Sequence, residues 1–490
     1  MNKLRKTIQS ISRIWVPHSY QMTAMSFLIS NPRSGLFLDP GLGKTSISLR
    51  TIKMLLGARD IKGVLLIAPL RVCYSVWPGE VDKWDNFKGV TTTILHDDNK
   101  ASLWGEKKDI YIINPEGLEW LHSELLKGLK EGKKCPFDCL WIDESTKFKS
   151  HDSQRFGYVC DMLPLFKRRH IMTGTPAPKS LLDLWSQTFI LDEGKALGHN
   201  YYKFRRTYFQ SNDWNKHSWT IKDFSADKIH ELIAPLVLEM SAEDYLDIPP
   251  ILYNDIAVSL PDKAFKHYKK MEKEMFIELD GVEISADATA QASMKCHQIA
   301  NGIVYEDVPD GLTEEEIRAF KRTRRAIKIH GAKIDALKEL VDELNGKPLL
   351  IAYHYKHDLE TLRGLFGKDV PYIGSGVLPK KAKQLEKLWN EGKLPILIGH
   401  PDSMGHGLNL QGSGNDICWY SLTWNLENYI QFNKRIHRQG VRSTVRIHHL
   451  VASGTVDEAM LIRLGERAKD QKDLREALKL YRTSLMKLAG

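Results

Sequence analysis

Gly41, Gly43, Lys44 and Thr45 stand together in GLFLDPGLGKTSIS at 35–48. An apolar run enters a glycine-containing turn, and Gly43-Lys44-Thr45 then opens a helical pattern. Glycines let backbone N–H groups approach phosphate oxygens, and a helix N-terminus adds partial positive charge. In such a loop Lys44 would reach the β and γ phosphates of a nucleotide, and the Thr45 hydroxyl would ligate Mg2+. The strict G-x-x-x-x-G-K-T pattern has Gly where this chain has Leu38, so alone the segment also reads as a glycine-rich helix entry. CLWIDE at 139–144 is a buried strand ending in two carboxylates. Asp143 at such a strand end holds Mg2+ through water, and Glu144 activates the attacking water. Either signal alone has a plain alternative; both in this order are much rarer by chance.

Two further sets stand downstream. TGTP at 173–176 places the Thr173 and Thr175 hydroxyls in a tight turn, where they link a γ-phosphate site to another surface or simply form a turn. In QFNKRIHRQG at 431–440, Arg435 and Arg438 are three apart and so share a helix face. From a second lobe they stabilise charge on a transferred phosphoryl group as arginine fingers; the alternative is a basic surface.

The elements that must carry these residues alternate. Strand-like runs are GLFL (35–38), VLLIAP (64–69), TTTIL (91–95), DIYIIN (109–114), CLWID (139–143) and HIMTG (170–174). Helical patterns such as 46–56 and 116–130 lie between several of them, which predicts a parallel sheet with covered faces. The pattern returns in KPLLIAYH (347–354), PILIGH (395–400), DICWYS (416–421) and VRIHHLV (445–451). The stretch 192–330 is polar and helical, with 264–280 as an amphipathic helix and an acidic-then-basic helix or linker within 305–325. Lys+Arg 70 against Asp+Glu 61 gives a net charge of +9, which permits a polyanionic partner without requiring one. Six cysteines in 490 residues are too few for a secreted disulfide scaffold, and Cys135 and Cys139 lack the companions of a zinc site. No apolar run approaches the roughly 20 residues of a membrane span, and the basic N-terminus lacks the apolar core of a signal peptide.

Taken in order, the set resembles helicase superfamily two, and within it the Swi/Snf-like ATPases, across nearly the whole chain. PHSYQMTAMSFL (17–28) resembles the Q motif, DPGLGKT motif I, APLRVCYSVWPGEVDKW (68–84) motif Ia with Trp77, Glu80 and Trp84, and NPEGL (114–118) motif Ib. DESTKFK (143–149) stands at motif II, with Thr146 where the family usually has His, and TGTPAPKSLLDLW (173–185) is close to motif III. PLLIAYHYKHDLETL (348–362), GHGLNLQ (405–411) and SLTWNLENYIQFNKRIHRQG (421–440) resemble motif IV, motif V and the closing block, with Gln439 and Gly440 inverted. AEDYLDIPP (242–250) and TVDEAM (455–460) resemble the family's connector and closing segment.

The resemblance implies an α/β fold of two RecA-like lobes, each a mostly parallel sheet flanked by helices, with a small helical insertion between them. The expected division is 1–250 for the ATP-binding lobe with a helical excursion near 192–240, 251–330 for insertion and linker, and 331–490 for the second lobe with its C-terminal helix. ATP and Mg2+ are the implied cofactors. Lys44, Asp143, Glu144, Arg435 and Arg438 are then catalytic, and Thr45 and Asp143 hold the metal. Gln21 reads adenine, and Gly41, Gly43 and Gly407 complete the nucleotide site. Thr173, Thr175 and Gln431 couple it to movement; Arg71, Lys149, Trp424 and Asn425 touch nucleic acid. The implied activity is a DNA translocase or helicase that remodels DNA or displaces bound proteins. The implied partner is duplex or branched DNA, ahead of RNA. A strand-separating helicase and a non-catalytic ATP-switched binding protein are the alternatives. The length and the missing appended modules suit a compact phage or bacterial member; a monomer in the cytoplasm with no membrane partner is also expected.

Overall fold

A computed structural model describes residues 13–489 apart from 99, 212–218, 280–281, 286–288, 310, 405–407 and 442. The chain divides into two compact units, Met1–Asp247 with Arg467–Gly490, and Ile248–Glu466.

The first unit is built on a seven-stranded sheet. Its strands are β1 (Arg33–Leu38), β2 (Val64–Ile67), β3 (Thr92–Ile94), β4 (Ile110–Ile113), β5 (Cys139–Asp143), β6 (Arg168–Thr173) and β9 (Val237–Met240), in the order β3-β4-β2-β5-β6-β1-β9. Every pairing is parallel. Strands covered on both faces read as unbroken apolar runs, and β2 and β4 are buried at every position. A two-stranded hairpin, β7 (Phe209–Ser211) with β8 (Trp219–Ile221), stands apart from this sheet. The order sets the C-terminal ends of β5, β6 and β1 side by side, and ligands of open parallel sheets bind at such an edge. Asp143 ends β5, Thr173 ends β6, and the loop after β1 carries Gly41 and Gly43.

The basic run 167–170 belongs to this framework. Arg169, 2% exposed, donates to the Leu163 and Leu191 carbonyls and to Glu193. Arg168 donates to Asp60 and to the carbonyls of Leu28 and Ile29. His170 is fully buried against Ser34 and Trp141. These side chains fasten β6 to its surroundings, so Arg168, Arg169 and His170 are committed to the fold.

The second unit has a six-stranded sheet of β10 (Ile251–Val258), β15 (Leu349–Ala352), β16 (Tyr372–Ile373), β17 (Ile396–Gly399), β18 (Asp416–Trp419) and β19 (Val445–Ala452), ordered β10-β19-β18-β15-β17-β16 and parallel throughout. Strand β10 lies in the stretch read from sequence as insertion; Leu252, Tyr253, Asn254 and Asp255 are exposed, so it lacks the apolar run of an interior strand. The expected helix at 264–280 stops at Glu274, where Met275 takes a left-handed conformation. Strand β11 (Phe276–Leu279) follows and pairs antiparallel with β12 (Val282–Ser285). The insertion therefore mixes helices with short hairpins; β13 (Ile303–Tyr305) and β14 (Ala326–Lys328) form the second. Tyr268, Met271, Cys296, Ile299, Val304 and Ile327 share a small core there. Its helix Thr289–Asn301 joins a buried polar hub. The Lys333 ammonium meets Asp457 at 2.6 Å with both side chains fully buried, and also donates to Asn301. The helix Val456–Ala489 closes the chain, and its Leu474 and Leu478 are buried in the first unit's core. Among the described residues no helix is long and apolar enough to cross a membrane.

Candidate active site

The phosphate loop is shaped by two left-handed glycines, Gly41 at φ 100° and Gly43 at φ 81°. At Gly43 a second constraint acts, because an added Cβ would lie 2.6 Å from Gln21 Nε2. Only glycine meets both demands without strain. Gln21 sits on the helix Ser19–Ser30, 4% exposed; its Oε1 accepts from the His18 N–H at 3.0 Å and its Nε2 donates to the Leu42 carbonyl at 3.1 Å. The amide thus fastens that helix to the loop. Lys44 and Thr45 open the helix Lys44–Gly57 and are half-buried. The Lys44 ammonium donates to the Leu38 carbonyl at 2.7 Å, across the mouth of the loop. Asp39 accepts from the Ala242 N–H at 3.0 Å, so the connector AEDYLDIPP starts from the same loop.

Beside the loop, β5 ends in Asp143, and Glu144 follows in a left-handed conformation at φ 62°. A non-glycine residue there is held by its surroundings, and the holders are visible. Glu144 Oε1 accepts from Thr173 Oγ1 at 2.6 Å and from Thr146 Oγ1 at 3.0 Å. Thr173 Oγ1 in turn accepts from the Thr175 N–H at 3.1 Å. All four residues are buried. Thr146, where histidine was the expectation, thus makes a direct bond to the carboxylate. At Gly174 an added Cβ would crowd Pro40 Cδ at 3.0 Å; the β6 turn and the phosphate loop touch there. Buried Gln187 locks the two turns, accepting from Ser145 Oγ at 2.6 Å and donating to the Pro176 carbonyl at 2.7 Å.

The segment after β2 supplies contacts that sequence reasoning noted only as part of motif Ia. Trp77, fully buried, donates its indole N–H to Asp143 Oδ2 at 2.9 Å. Glu80 Oε1 accepts from Ser46 Oγ and, at 2.7 Å, from Trp84 Nε1. Tertiary pairing of this kind leaves no local signal. Thr45 and Asp143 offer one hydroxyl and one carboxylate, a hard oxygen set. Among the described residues no three or more His, Cys, Asp or Glu side chains gather as a metal cage. Such a sparse set fits Mg2+, which keeps its waters and shares its sphere with substrate phosphates.

In the second unit the helix Leu426–Asn433 ends before the two arginines, so Arg435 and Arg438 lie in the turns that follow and not on a helix face as expected. Arg435 is 8% exposed; its guanidinium donates to the Gln431 and Leu408 carbonyls at 3.0 and 2.8 Å. Burial lowers the Arg438 pKa, with Glu386 opposing. Gln431 is buried and donates to Glu427 at 3.3 Å. Trp424 is 40% exposed, while exposed Asn425 caps the helix by accepting from the Asn428 N–H. In the first unit Arg71 and Lys149 are half-buried, and burial lowers the Arg71 pKa. Gly407 lies outside the described residues.

Known proteins resemble this chain in sequence. A family model for the SNF2-related domain matches residues 4–305, and one for the helicase conserved C-terminal domain matches residues 332–440. Protein p41 of Acyrthosiphon pisum secondary endosymbiont phage 1 is 34% identical over 484 residues, covering 95% of this chain and 99% of that protein. The mouse (Mus musculus) DNA annealing helicase and endonuclease ZRANB3 is 23% identical over 88% of this chain, which spans only 38% of that longer relative. A SWI2/SNF2 ATPase core of Sulfolobus solfataricus, solved in complex with dsDNA, aligns over 97% of both chains at 19% identity and a TM-score of 0.42.

Proposed function

The chain belongs to the SNF2-related family of helicase-like ATPases, and on that premise we propose that it couples ATP hydrolysis to movement along duplex DNA. The observation that carries the ATP-hydrolysis part of this reading is the carboxylate arrangement at the sheet edge; the duplex-DNA part rests on family membership. Glu144 is held in a strained backbone conformation by Thr146 and Thr173, next to a loop whose glycines and Lys44 are shaped for phosphate.

In this account the loop N–H groups and Lys44 bind the triphosphate, Lys44 leaving the Leu38 carbonyl for the β and γ oxygens. Thr45 and Asp143 would hold Mg2+, which would supply charge neutralisation for the triphosphate. Glu144 orients the attacking water and takes its proton on the carboxylate. Thr173 and Thr146 keep that carboxylate from rotating, and Thr173 passes its state to the Thr175 turn. Arg435 and Arg438 stabilise the charge that develops on the transferred group. Gln21 orders the loop and reads adenine beside it. Arg71, Lys149, Trp424 and Asn425 grip the nucleic-acid backbone, with Gln431 relaying between grip and nucleotide; such grip is sequence-independent and weakens with salt. The pathway proposed is DNA remodelling or displacement of bound proteins.

ATP turnover measured with duplex DNA, single-stranded DNA, forked DNA and RNA as separate activators tests the reading. Strongest activation by duplex or forked DNA, with triplex-strand displacement and no duplex unwinding, is the expected result. Activation by RNA alone would overturn it, and unwinding would move the assignment to a strand-separating helicase.

A further inference from the structure

We propose that Trp77 is a positioning residue for the metal-binding carboxylate, fixing Asp143 so that it meets Mg2+ in a single orientation. The inference rests on the ATP-site reading above. Trp77 is fully buried, yet its one polar atom is directed at Asp143 Oδ2, 2.9 Å away. An indole N–H only donates, so the bond needs an acceptor such as the carboxylate and holds one of its oxygens toward the protein. It is also neutral. An Arg or Lys in the same place would compete with the cation for the carboxylate, whereas an indole orients the group without adding charge. The same short helix, Trp77–Lys83, reaches the other proposed ligand. Its Glu80 accepts from Ser46, the residue after Thr45, and is braced by Trp84 at 2.7 Å. One element therefore touches Asp143 directly and Thr45 through its neighbour, although the two ligands come from segments far apart in sequence. Outer partners that orient ligands in this way typically change metal affinity or activity by roughly 10- to 100-fold when removed.

A buried Trp that merely fills the core would also need some acceptor for its N–H, so the test must separate position from packing. Binding of a fluorescent ATP analogue is measured with and without Mg2+ in the full chain, for wild type and Trp77→Phe, and Mn2+ binding to the nucleotide complex is followed by electron paramagnetic resonance. Expected is an analogue affinity without metal within about two-fold of wild type, and a metal-dependent gain in affinity reduced by roughly ten-fold or more. Replacement of Trp77 by 3-benzothienylalanine, which keeps the ring shape and removes only the N–H, should reproduce the metal defect and covers the case in which Trp77→Phe does not fold. An unchanged metal-dependent gain with the benzothienyl side chain overturns the proposal. Lys44→Ala run alongside separates the two levels. If Lys44→Ala loses nucleotide binding while the benzothienyl protein keeps the full metal gain, only the Trp77 role fails. If Lys44→Ala binds and hydrolyses like wild type, the site reading fails and takes this proposal with it.

Discussion

Thr173 and Thr146 donate to the same oxygen of Glu144, but their surroundings differ, and that difference yields an ordered prediction. Thr173→Val keeps the shape and removes a 2.6 Å hydroxyl bond to a carboxylate, while stripping the Thr175 N–H of its 3.1 Å acceptor. Thr146→Val removes one longer bond, 3.0 Å, to that carboxylate. A hydrogen bond to a charged group contributes about 1.5–3 kcal/mol, and a buried orphaned N–H costs about 1–3 kcal/mol. If Glu144 carries the water step, Thr173→Val lowers kcat by roughly 10- to 100-fold at 1.36 kcal/mol per tenfold. Thr146→Val falls at or below the low end of that range. The double variant should lose less than the product of the two, because both hydroxyls restrain one oxygen. Steady-state ATP turnover gives kcat and KM, and thermal unfolding reports the stability change separately. Thr146→Val more damaging than Thr173→Val, or variants that lose stability with kcat intact, would refute the reasoning.

Three further outcomes follow from the geometry. Gly43→Ala must adopt φ near 81° and push its Cβ against Gln21 Nε2, so a cost of about 1–2 kcal/mol for the left-handed backbone plus about 1 kcal/mol for the displaced Gln21–Leu42 bond should appear in denaturant unfolding, with weakened nucleotide binding. Asp457→Asn leaves the Lys333 ammonium buried without its counter-charge; a loss of about 3–5 kcal/mol is expected, and Lys333→Met combined with Asp457→Leu should recover much of it. Burial first, then the charge of Arg168, pushes the His170 pKa down to about 3, and burial brings His297 to about 4. Below the ordinary histidine pKa near 6.5 the unfolded chain binds protons that the folded chain refuses. The stabilising effect is complete above about pH 6.5 and declines by about 1.4 kcal/mol per pH unit per histidine as pH falls toward those values. Denaturant midpoints that stay level from pH 7 to pH 5 would contradict the neutral buried state of both rings.

Much of this architecture is legible in the sequence where one segment carries its own signal. CLWID reads as an interior parallel strand because both faces are covered, and the structure has β5 at those residues. The glycines of the phosphate loop are legible because a left-handed backbone selects them. What is not legible depends on a partner elsewhere in the chain. The run KRRH reads as loose positive charge until Glu193, Asp60 and four carbonyls claim Arg168 and Arg169. ILYNDIAV hides a strand because a mostly exposed strand has no need of an apolar run. The three-residue spacing of Arg435 and Arg438 suggested one helix face, but the helix ends at Asn433. Thr146 looked like a lost histidine and instead bonds to Glu144, a contact set by the turn after β5.

In the proposed mechanism the loop at Lys44 binds ATP for hydrolysis, and duplex DNA accelerates the cycle. Steady-state ATP turnover of wild type and Lys44→Ala, each with saturating duplex DNA and without it, tests this most directly. Wild type should turn over ATP at a rate that duplex DNA raises, and Lys44→Ala should show none above background with its thermal unfolding unchanged. A Lys44→Ala protein that hydrolyses ATP as fast as wild type would contradict it.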